Sequence, residues 1–346
     1  MQRPDIHHAT AYAIYRTPHS THYTILLQHT APQAYARMAD VPLCGGYVVA
    51  PFAADAQCPV VLIKPDECFT RPIDGEEVRH HTLEAAVEGE EAERAAYGAA
   101  FRTVSEALQR GEAEKVVLSR RRHLRLEREA DPFMLFLLAC RYRPGGFVAL
   151  WHTPQSGTWL VATPEPLLEA THTAWHTVAL AGTLPNDAPA SAWNAKNREE
   201  QAIVARFIAR CLGDAATDVQ RSPTYTLQSG NIQHLCTDFT FQMPDAGDIG
   251  HLIERLHPTP AVSGLPRERA NALILANEST PRHYYAGFSG PLMLGGTTAL
   301  YVSLRCMHLD RLRATLYAGG GIMPDSVEAE EWEETNRKLM TMMQLV

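Results

Sequence analysis

The order of its strand and helix signals constrains this chain most. Apolar runs with strand character and long amphipathic segments follow one another irregularly, with no regular β–α–β alternation. A doubly wound parallel sheet requires that alternation, so the pattern predicts an α+β fold. Strands are expected over Tyr23 to Gln28, Tyr47 to Pro51, Lys115 to Leu126, Phe147 to Trp151, Trp159 to Ala162, Thr177 to Leu180, Tyr301 to Met307 and Leu312 to Tyr317. Leu83 to Gly111 has helical spacing and predicts one or two helices. Further helices are expected from the cap Asp131-Pro132 to near Arg143, and over Asn194 to Leu212, Ile249 to Leu256, Arg267 to Asn277 and Ser326 to Leu345. The 346 residues suit one large domain or two ordinary ones, and no low-complexity linker or solenoid repeat divides them.

Charge narrows the function classes. Lys and Arg number 31 against 39 Asp and Glu, a formal charge of −8. That balance argues against a nucleic acid or an anionic membrane held by bulk charge. It also means that an anionic substrate needs local Arg, Lys or a metal. The apolar run Phe133 to Cys140 is too short to cross a bilayer. The start, Met-Gln-Arg-Pro-Asp-Ile-His-His, lacks the apolar run of a signal peptide. Seven scattered cysteines with no C-x-x-C pair read as reduced thiols, so the expected location is the cytoplasm.

Several segments carry chemistry. In Tyr317-Ala-Gly-Gly-Gly-Ile-Met-Pro-Asp-Ser, three glycines are expected to form a strand-to-helix turn. Such a turn exposes backbone N–H groups near a helix N-terminus and favours an anion, although most are purely structural. The following helix carries Glu328, Glu330, Glu331, Glu333 and Glu334. Glu331, Glu334 and Lys338 share one face by their spacing. Two carboxylates on a face suit a hard cation such as Mg2+; a solvated acidic helix start is the plainer reading. In Lys196-Asn-Arg-Glu-Glu-Gln, Glu199 and Glu200 are either a solvated face or a source of one more metal oxygen, and spacing leaves both open.

Lys115 opens the strand Glu114-Lys-Val-Val-Leu-Ser-Arg. It either snorkels to solvent or, facing a closed site, serves as a base. Glu165, just after a strand in Ala162-Thr-Pro-Glu-Pro, is a candidate acid partner or an ordinary solvated turn residue. The pairs His7-His8 and His80-His81 lack zinc spacing and read as surface. His234 and His257 sit in apolar surroundings, where a lone histidine is usually a hydrogen-bonded structural residue. No Walker or dinucleotide glycine fingerprint is present.

Taken in order, nine stretches resemble the chorismate-utilising enzymes, that is, the isochorismate, salicylate, anthranilate and aminodeoxychorismate synthases. They are Glu114-Lys-Val-Val-Leu-Ser-Arg, Ala162-Thr-Pro-Glu, Ala179-Leu-Ala-Gly-Thr, Lys196-Asn-Arg-Glu-Glu-Gln, Leu256-His-Pro-Thr-Pro-Ala-Val-Ser-Gly-Leu-Pro, Tyr285-Ala-Gly, Ser303-Leu-Arg-Cys, Ala318-Gly-Gly-Gly-Ile and Glu331-Trp-Glu-Glu-Thr-Asn-Arg-Lys. The resemblance implies a single large α+β domain of the anthranilate synthase component I type, with extended sheets, helices packed outside and a buried cleft. Residues 85–346 would be the chorismate-binding catalytic core and 1–84 a variable N-terminal portion of the same domain.

The resemblance also implies roles. Glu200 and Glu334 match the family's Mg2+ ligands, with Glu331 close by through water. Arg305, Tyr285, Gly319 and Lys338 match groups that hold the substrate carboxylates, and His234 matches a pocket histidine. Lys115 matches the lysine that activates water, and Glu165 the acid that protonates the departing hydroxyl. Amine-transferring members resemble one another in lacking that lysine, so no glutaminase partner is expected. Ala261, in Pro260-Ala-Val-Ser-Gly, resembles isochorismate synthases, whereas salicylate synthases tend to carry Thr. The implied activity is isochorismate formation from chorismate, with salicylate synthesis second and a non-catalytic chorismate binder third. The chain departs from the family pattern at Asn197, where an acid is frequent, and at Gln201, where His is usual.

Overall fold

The computed structural model describes residues 6, 8–73, 83–170, 174–213, 215–229 and 232–346. Strands β1 (Ala11–Arg16), β2 (His22–Gln28), β3 (Gln33–Tyr35), β4 (Gly46–Ala50), β5 (Val60–Ile63) and β6 (Glu67–Pro72) come first. Then follow β7 (Ala85–Glu88), α1 (Glu90–Gln109), β8 (Lys115–Leu126), α2 (Pro132–Tyr142), β9 (Phe147–Thr153), β10 (Gly157–Thr163), β11 (Pro166–Ala170) and β12 (Trp175–Pro185). The central part holds α3 (Ala195–Gly213), β13 (Thr217–Arg221), β14 (Tyr225–Ser229), β15 (Ile232–Gln242), α4 (Ile249–Leu256), β16 (Gly264–Leu265) and α5 (Arg267–Asn277). The chain ends with β17 (Phe288–Leu292), β18 (Thr298–Val302), β19 (Cys306–Asp310), β20 (Arg313–Ile322) and α6 (Glu328–Met343).

These strands form two ten-stranded sheets, and every pairing between them is antiparallel. One runs β16-β8-β20-β19-β10-β9-β1-β2-β6, with β7 added on β8; the other runs β13-β15-β12-β11-β18-β17-β4-β5-β3, with β14 added on β15. The expected α+β class is what the chain adopts. Trp151, Trp159, Tyr47, Val49, Phe239 and Leu300 bury themselves in the largest apolar core, which lies between the sheets and extends to Val204 and Ile208 of α3. A second core sits under α2 and α6, where Phe136 and Leu339 meet Ile14, Leu150, Leu160 and Leu316. Helix α2 starts where its cap requires: the Asp131 carboxylate accepts from the N–H groups of Phe133 and Met134 at 3.1 and 3.3 Å.

Three expectations are corrected. Leu83 to Gly111 is not wholly helical: Ala85–Glu88 pairs with β8 before α1 begins at Glu90, because a free ladder edge on β8 outweighs the helix propensity of two alanines. The expected strand Tyr301 to Met307 is two strands. Between them Ser303, Leu304 and Arg305 carry the chain from one sheet to the other, and Arg305 takes a left-handed φ of 47° at the corner. The three glycines make no turn: β20 stays paired with β8 through Gly319, Gly320, Gly321 and Ile322, and the turn comes after Ile322. No helix among the described residues is long and apolar enough to cross a membrane.

Candidate active site

A pocket enclosing about 570 Å³, counting space open to solvent, sits at two of the places where the chain crosses between sheets. Glu165 lies at the β10–β11 crossing and Arg305 at the β18–β19 crossing. Glu165, Glu200, His234, Ala261, Tyr285, Arg305, Gly319 and Lys338 all line it. Lys115 and Glu334 stand behind this lining, joined to it by ion pairs with Glu200 and Lys338, and Glu331 lies next to Gly320 and pairs with Lys196.

Lys115 begins β8 and has no exposed surface, which removes the snorkelling alternative. Its Nζ lies 2.9 Å from Glu200 Oε1, yet makes no well-directed hydrogen bond. Its nitrogen is thus close to a carboxylate but held by no hydrogen bond, and is open to another partner. Glu165 is buried as well, which removes its solvated alternative. Burial pushes its carboxyl up to about 7, against the pull of Arg305, Lys115 and Lys338. A pocket with a buried lysine and a half-protonated carboxyl has the parts for acid–base chemistry.

His234 on β15 fixes Arg305. Arg305 Nη2 lies 3.0 Å from His234 Nε2, and His234 Nδ1 lies 2.8 Å from the carbonyl of Gly182. A guanidinium can only donate and a carbonyl only accept, so the imidazole is the neutral tautomer with its proton on Nδ1. Burial, then Arg305, lowers its pKa to about 3. Gly182 can present that carbonyl because β12 bulges between Ala181 and Leu184, with Gly182 at a φ of 74°. His257 is the structural histidine expected: Nε2 donates to Pro51 O at 3.1 Å, and burial lowers its pKa to about 4.

The acidic helix α6 turns one face to the pocket. Glu334 Oε1 accepts from Lys338 Nζ at 2.7 Å, and the same ammonium donates to Gly319 O at 2.8 Å. Glu331 accepts from Lys196 Nζ at 2.5 Å and from Ser326 Oγ at 2.7 Å. Burial and then Glu334 raise the Glu331 pKa; burial also opposes ionisation of Glu334, but Lys338 holds it below the usual range. The plainer reading of a solvated acidic helix start therefore fails for these two residues, while Glu330 and Glu333 remain exposed. Glu199 points away and pairs with Arg206 at 2.9 Å.

The glycines explain how the carboxylates come together. A Cβ on Gly321 would stand 2.2 Å from Glu200 Oε1 and 2.9 Å from Lys115 Cε, and one on Gly320 would stand 3.0 Å from Glu331 Oε2. The bare strand is the surface on which Glu200, Glu331 and Glu334 gather. Gly321→Ala should therefore cost about 1–3 kcal/mol of stability, as overpacking does, and denaturant unfolding measures it. Unchanged stability would mean that Glu200 and Lys115 do not need that space.

The donor set fits a hard cation. Its donors are oxygens only, as Mg2+ prefers. Four carboxylates (Glu165, Glu200, Glu331, Glu334) face four cations (Lys115, Lys196, Lys338, Arg305), which leaves little surplus positive charge for an anionic ligand. Among the described residues no three acidic, histidine or cysteine side chains form a ready-made metal cage, since each α3 or α6 carboxylate rests on its own lysine.

Sequence reasoning missed Lys196, although it sits one turn before Glu200 in a stretch already singled out. It also missed Glu278 and Arg282. Arg282 is buried, pairs with Glu278, and donates to Val262 O and Val117 O at 2.7 Å each. That clamp ties two pocket-lining segments together, and no motif pointed to it. Gln201 is buried and donates to Thr237 Oγ1 at 2.8 Å, while Asn197 packs beside Gly182. His8 is exposed as expected; His7, His80 and His81 lie outside the described residues.

Comparison with known proteins gives one consistent answer. The isochorismate synthase MenF of Escherichia coli (strain K12) is 30% identical over 258 residues, which cover 71% of this chain and 58% of that protein. The salicylate biosynthesis isochorismate synthase of Pseudomonas aeruginosa is 35% identical over 193 residues, covering 53% of this chain and 40% of that one. The match thus spans 58% of the length of the first relative and 40% of the second. Among solved structures, MenF, the menaquinone-specific isochorismate synthase from Escherichia coli, superposes with a TM-score of 0.83 at 20% identity, over 98% of this chain and 89% of that one. Anthranilate synthase component I from Streptococcus pneumoniae TIGR4 gives 0.71 at 18% identity, over 88% and 81%. These two likenesses establish the shared fold. The family model described as chorismate binding enzyme matches residues 67–346, and the chain belongs to that family.

Proposed function

We propose that the chain is an isochorismate synthase, an isomerase that reversibly converts chorismate to isochorismate. The observation that carries this reading is the placing, at one pocket, of the buried Lys115 side chain, whose nitrogen no hydrogen bond holds, with the raised carboxyl of Glu165. The relatives named isochorismate synthase support it. Residues 85–346 would carry the catalytic core and 1–84 complete the two sheets.

Lys115 acts in its neutral amine form, taking a proton from the water that attacks ring C2. The C4 hydroxyl leaves from the far end of the diene as Glu165 gives it a proton. Arg305, held by neutral His234, and Lys338 bind the substrate carboxylates, with Tyr285 and the backbone of Gly319 beside them. Ala261 leaves space at the ring. Glu200 and Glu334 would hold Mg2+, with Glu331 near it through water; when bound, the ion supplies positive charge for a substrate carboxylate. Ammonia chemistry would not need Lys115, so no glutaminase partner is implied. The product would feed menaquinone or siderophore biosynthesis. Seven cysteines without a disulfide bond support a cytoplasmic setting.

Glu165 gives a pH prediction with a definite sign. It can donate only while protonated, and its pKa lies near 7. Above that pH the rate should fall by about tenfold per pH unit as the acid form is depleted. Glu165→Gln should be slow and should lack this alkaline limb in a kcat/KM–pH profile. An unchanged limb would remove Glu165 from the acid role.

Product choice tests the assignment itself. Chromatography after incubation with chorismate and Mg2+ should show isochorismate with little salicylate at neutral pH. Eliminating pyruvate requires the enolpyruvyl methylene to be held over C2, and Ala261 offers no hydroxyl to fix that pose. Small pocket changes are worth about 1–3 kcal/mol, so Ala261→Thr should raise the salicylate fraction and slow the isomerisation. Salicylate and pyruvate as the main wild-type products would move the assignment to salicylate synthase; no chorismate turnover would leave a non-catalytic binder.

A further inference from the structure

The ion pair of Glu278 and Arg282 takes no part in the chemistry described above, yet it is buried beside it. The Arg282 and Glu278 side chains are 2% and 7% exposed, and neither lines the pocket. Arg282 holds Glu278 with two bonds, Nε to Oε2 at 2.8 Å and Nη2 to Oε1 at 2.5 Å. Its guanidinium also lies 4.3 Å from the centre of the Phe52 ring. The two charges cancel, so the pair adds no net charge to the pocket.

What the pair reaches is backbone. Arg282 donates to Val117 O and to Val262 O at 2.7 Å each, and Glu278 accepts from the N–H of Ser119 at 2.7 Å. Val117 and Val262 both line the pocket. The peptide N–H of Tyr285, a third lining residue, donates to Arg282 O at 3.0 Å.

Lys115 depends on this edge of β8. On the other edge, β20 pairs with β8 from Val116 onward and stops short of Lys115. Lys115 lies opposite Leu265 of β16, a strand of two residues. The N–H groups of Glu114 and Val117 donate to Leu265 O and Ser263 O, at 2.7 Å each. Beyond that point the two segments present two carbonyls, Val117 O and Val262 O, which cannot bond each other. The guanidinium, which only donates, joins them, and Glu278 supplies the acceptor for Ser119. The ion pair thus continues the edge where β16 ends.

We infer that Arg282, clamped by Glu278, is a positioning residue for the reaction: by joining Val117 O to Val262 O it fixes the strand that carries Lys115 against the wall that carries Ala261. This role rests on the reading of Lys115 as the base. Arg305 and Lys338, assigned to the substrate carboxylates, stand on other segments. The clamp should therefore govern how the bound ring meets Lys115 rather than whether chorismate binds. Displacing a reacting group by about 1 Å is enough to cost on the order of a hundredfold in rate.

A double-mutant cycle on the full chain tests it. Arg282→Gln should lower kcat by about a hundredfold, with KM for chorismate near that of wild type and thermal unfolding showing a folded protein. Lys115→Arg removes the base. Added to it, Arg282→Gln should have little further effect, because no base remains to be positioned. Damage unrelated to Lys115 would instead multiply the two losses, to about ten-thousandfold. Arg282→Lys keeps the charge beside Glu278 but replaces the planar fork that spans both carbonyls, and it carries the same cycle if Arg282→Gln does not fold. Multiplied losses would overturn the positioning role and leave Lys115 as the base. So would a folded Arg282→Gln protein with near-normal kcat, or one in which KM alone changes. Near-normal kcat in Lys115→Arg would remove the base itself and, with it, this role for Arg282.

Discussion

Lys115→Arg should lower kcat by about a hundredfold or more, the loss typical of removing a general base, while chorismate still binds. The substitution keeps a cation beside Glu200 but removes the base, because a guanidinium stays protonated at working pH. If Lys115 only attracted the anion, Arg would serve nearly as well. The surroundings make the test demanding. Lys115 Nζ sits 2.9 Å from Glu200 Oε1, and its Cε packs against the bare backbone of Gly321. Kinetics should therefore be paired with thermal unfolding and KM, which separate a lost proton acceptor from a displaced Glu200. A folded Lys115→Arg protein with near-normal kcat would refute the base role.

The second large effect concerns the metal. Glu334→Gln should abolish turnover with the fold intact. The carboxamide can still accept from Lys338, as Glu334 does at 2.7 Å, so the helix and its contact with Gly319 should persist. What the variant loses is the negative charge needed to hold a hard divalent ion. Saturating EDTA should likewise silence the wild type, and excess Mg2+ should restore it. Calorimetric titration with Mg2+ gives a readout besides activity: binding should be present in wild type and lost in Glu334→Gln. Wild-type rates in EDTA would refute the metal requirement.

Much of the fold was legible from local pattern. Ile249–Leu256 and Arg267–Asn277 are helices from end to end as expected, because an amphipathic stripe forms where an apolar core can cover it. The Asp131-Pro132 start of α2 was equally plain, since capping depends on residues two and three positions apart. The candidate site was readable mainly through resemblance. Spacing on one helix could place Glu331, Glu334 and Lys338 on one face; it could not tell a metal site from a solvated acidic turn.

The sequence by itself determined the helices, the α+β class and the residue types available for chemistry, because propensity, capping and periodicity act within about a dozen residues; strands such as β1 and β15, which carries His234, it did not show. Only the tertiary structure decided what those residues face. Arg305 leaves its expected strand because the chain there must change sheets, a constraint imposed by β18 and β19 together. The three glycines lie inside a ladder rather than a turn because Glu200 from α3 and Lys115 from β8 need the space a side chain would fill. Glu165 holds its proton near neutral pH because burial at the β10–β11 crossing removes it from water. Each outcome depends on contacts between segments far apart in the chain, which no local pattern encodes.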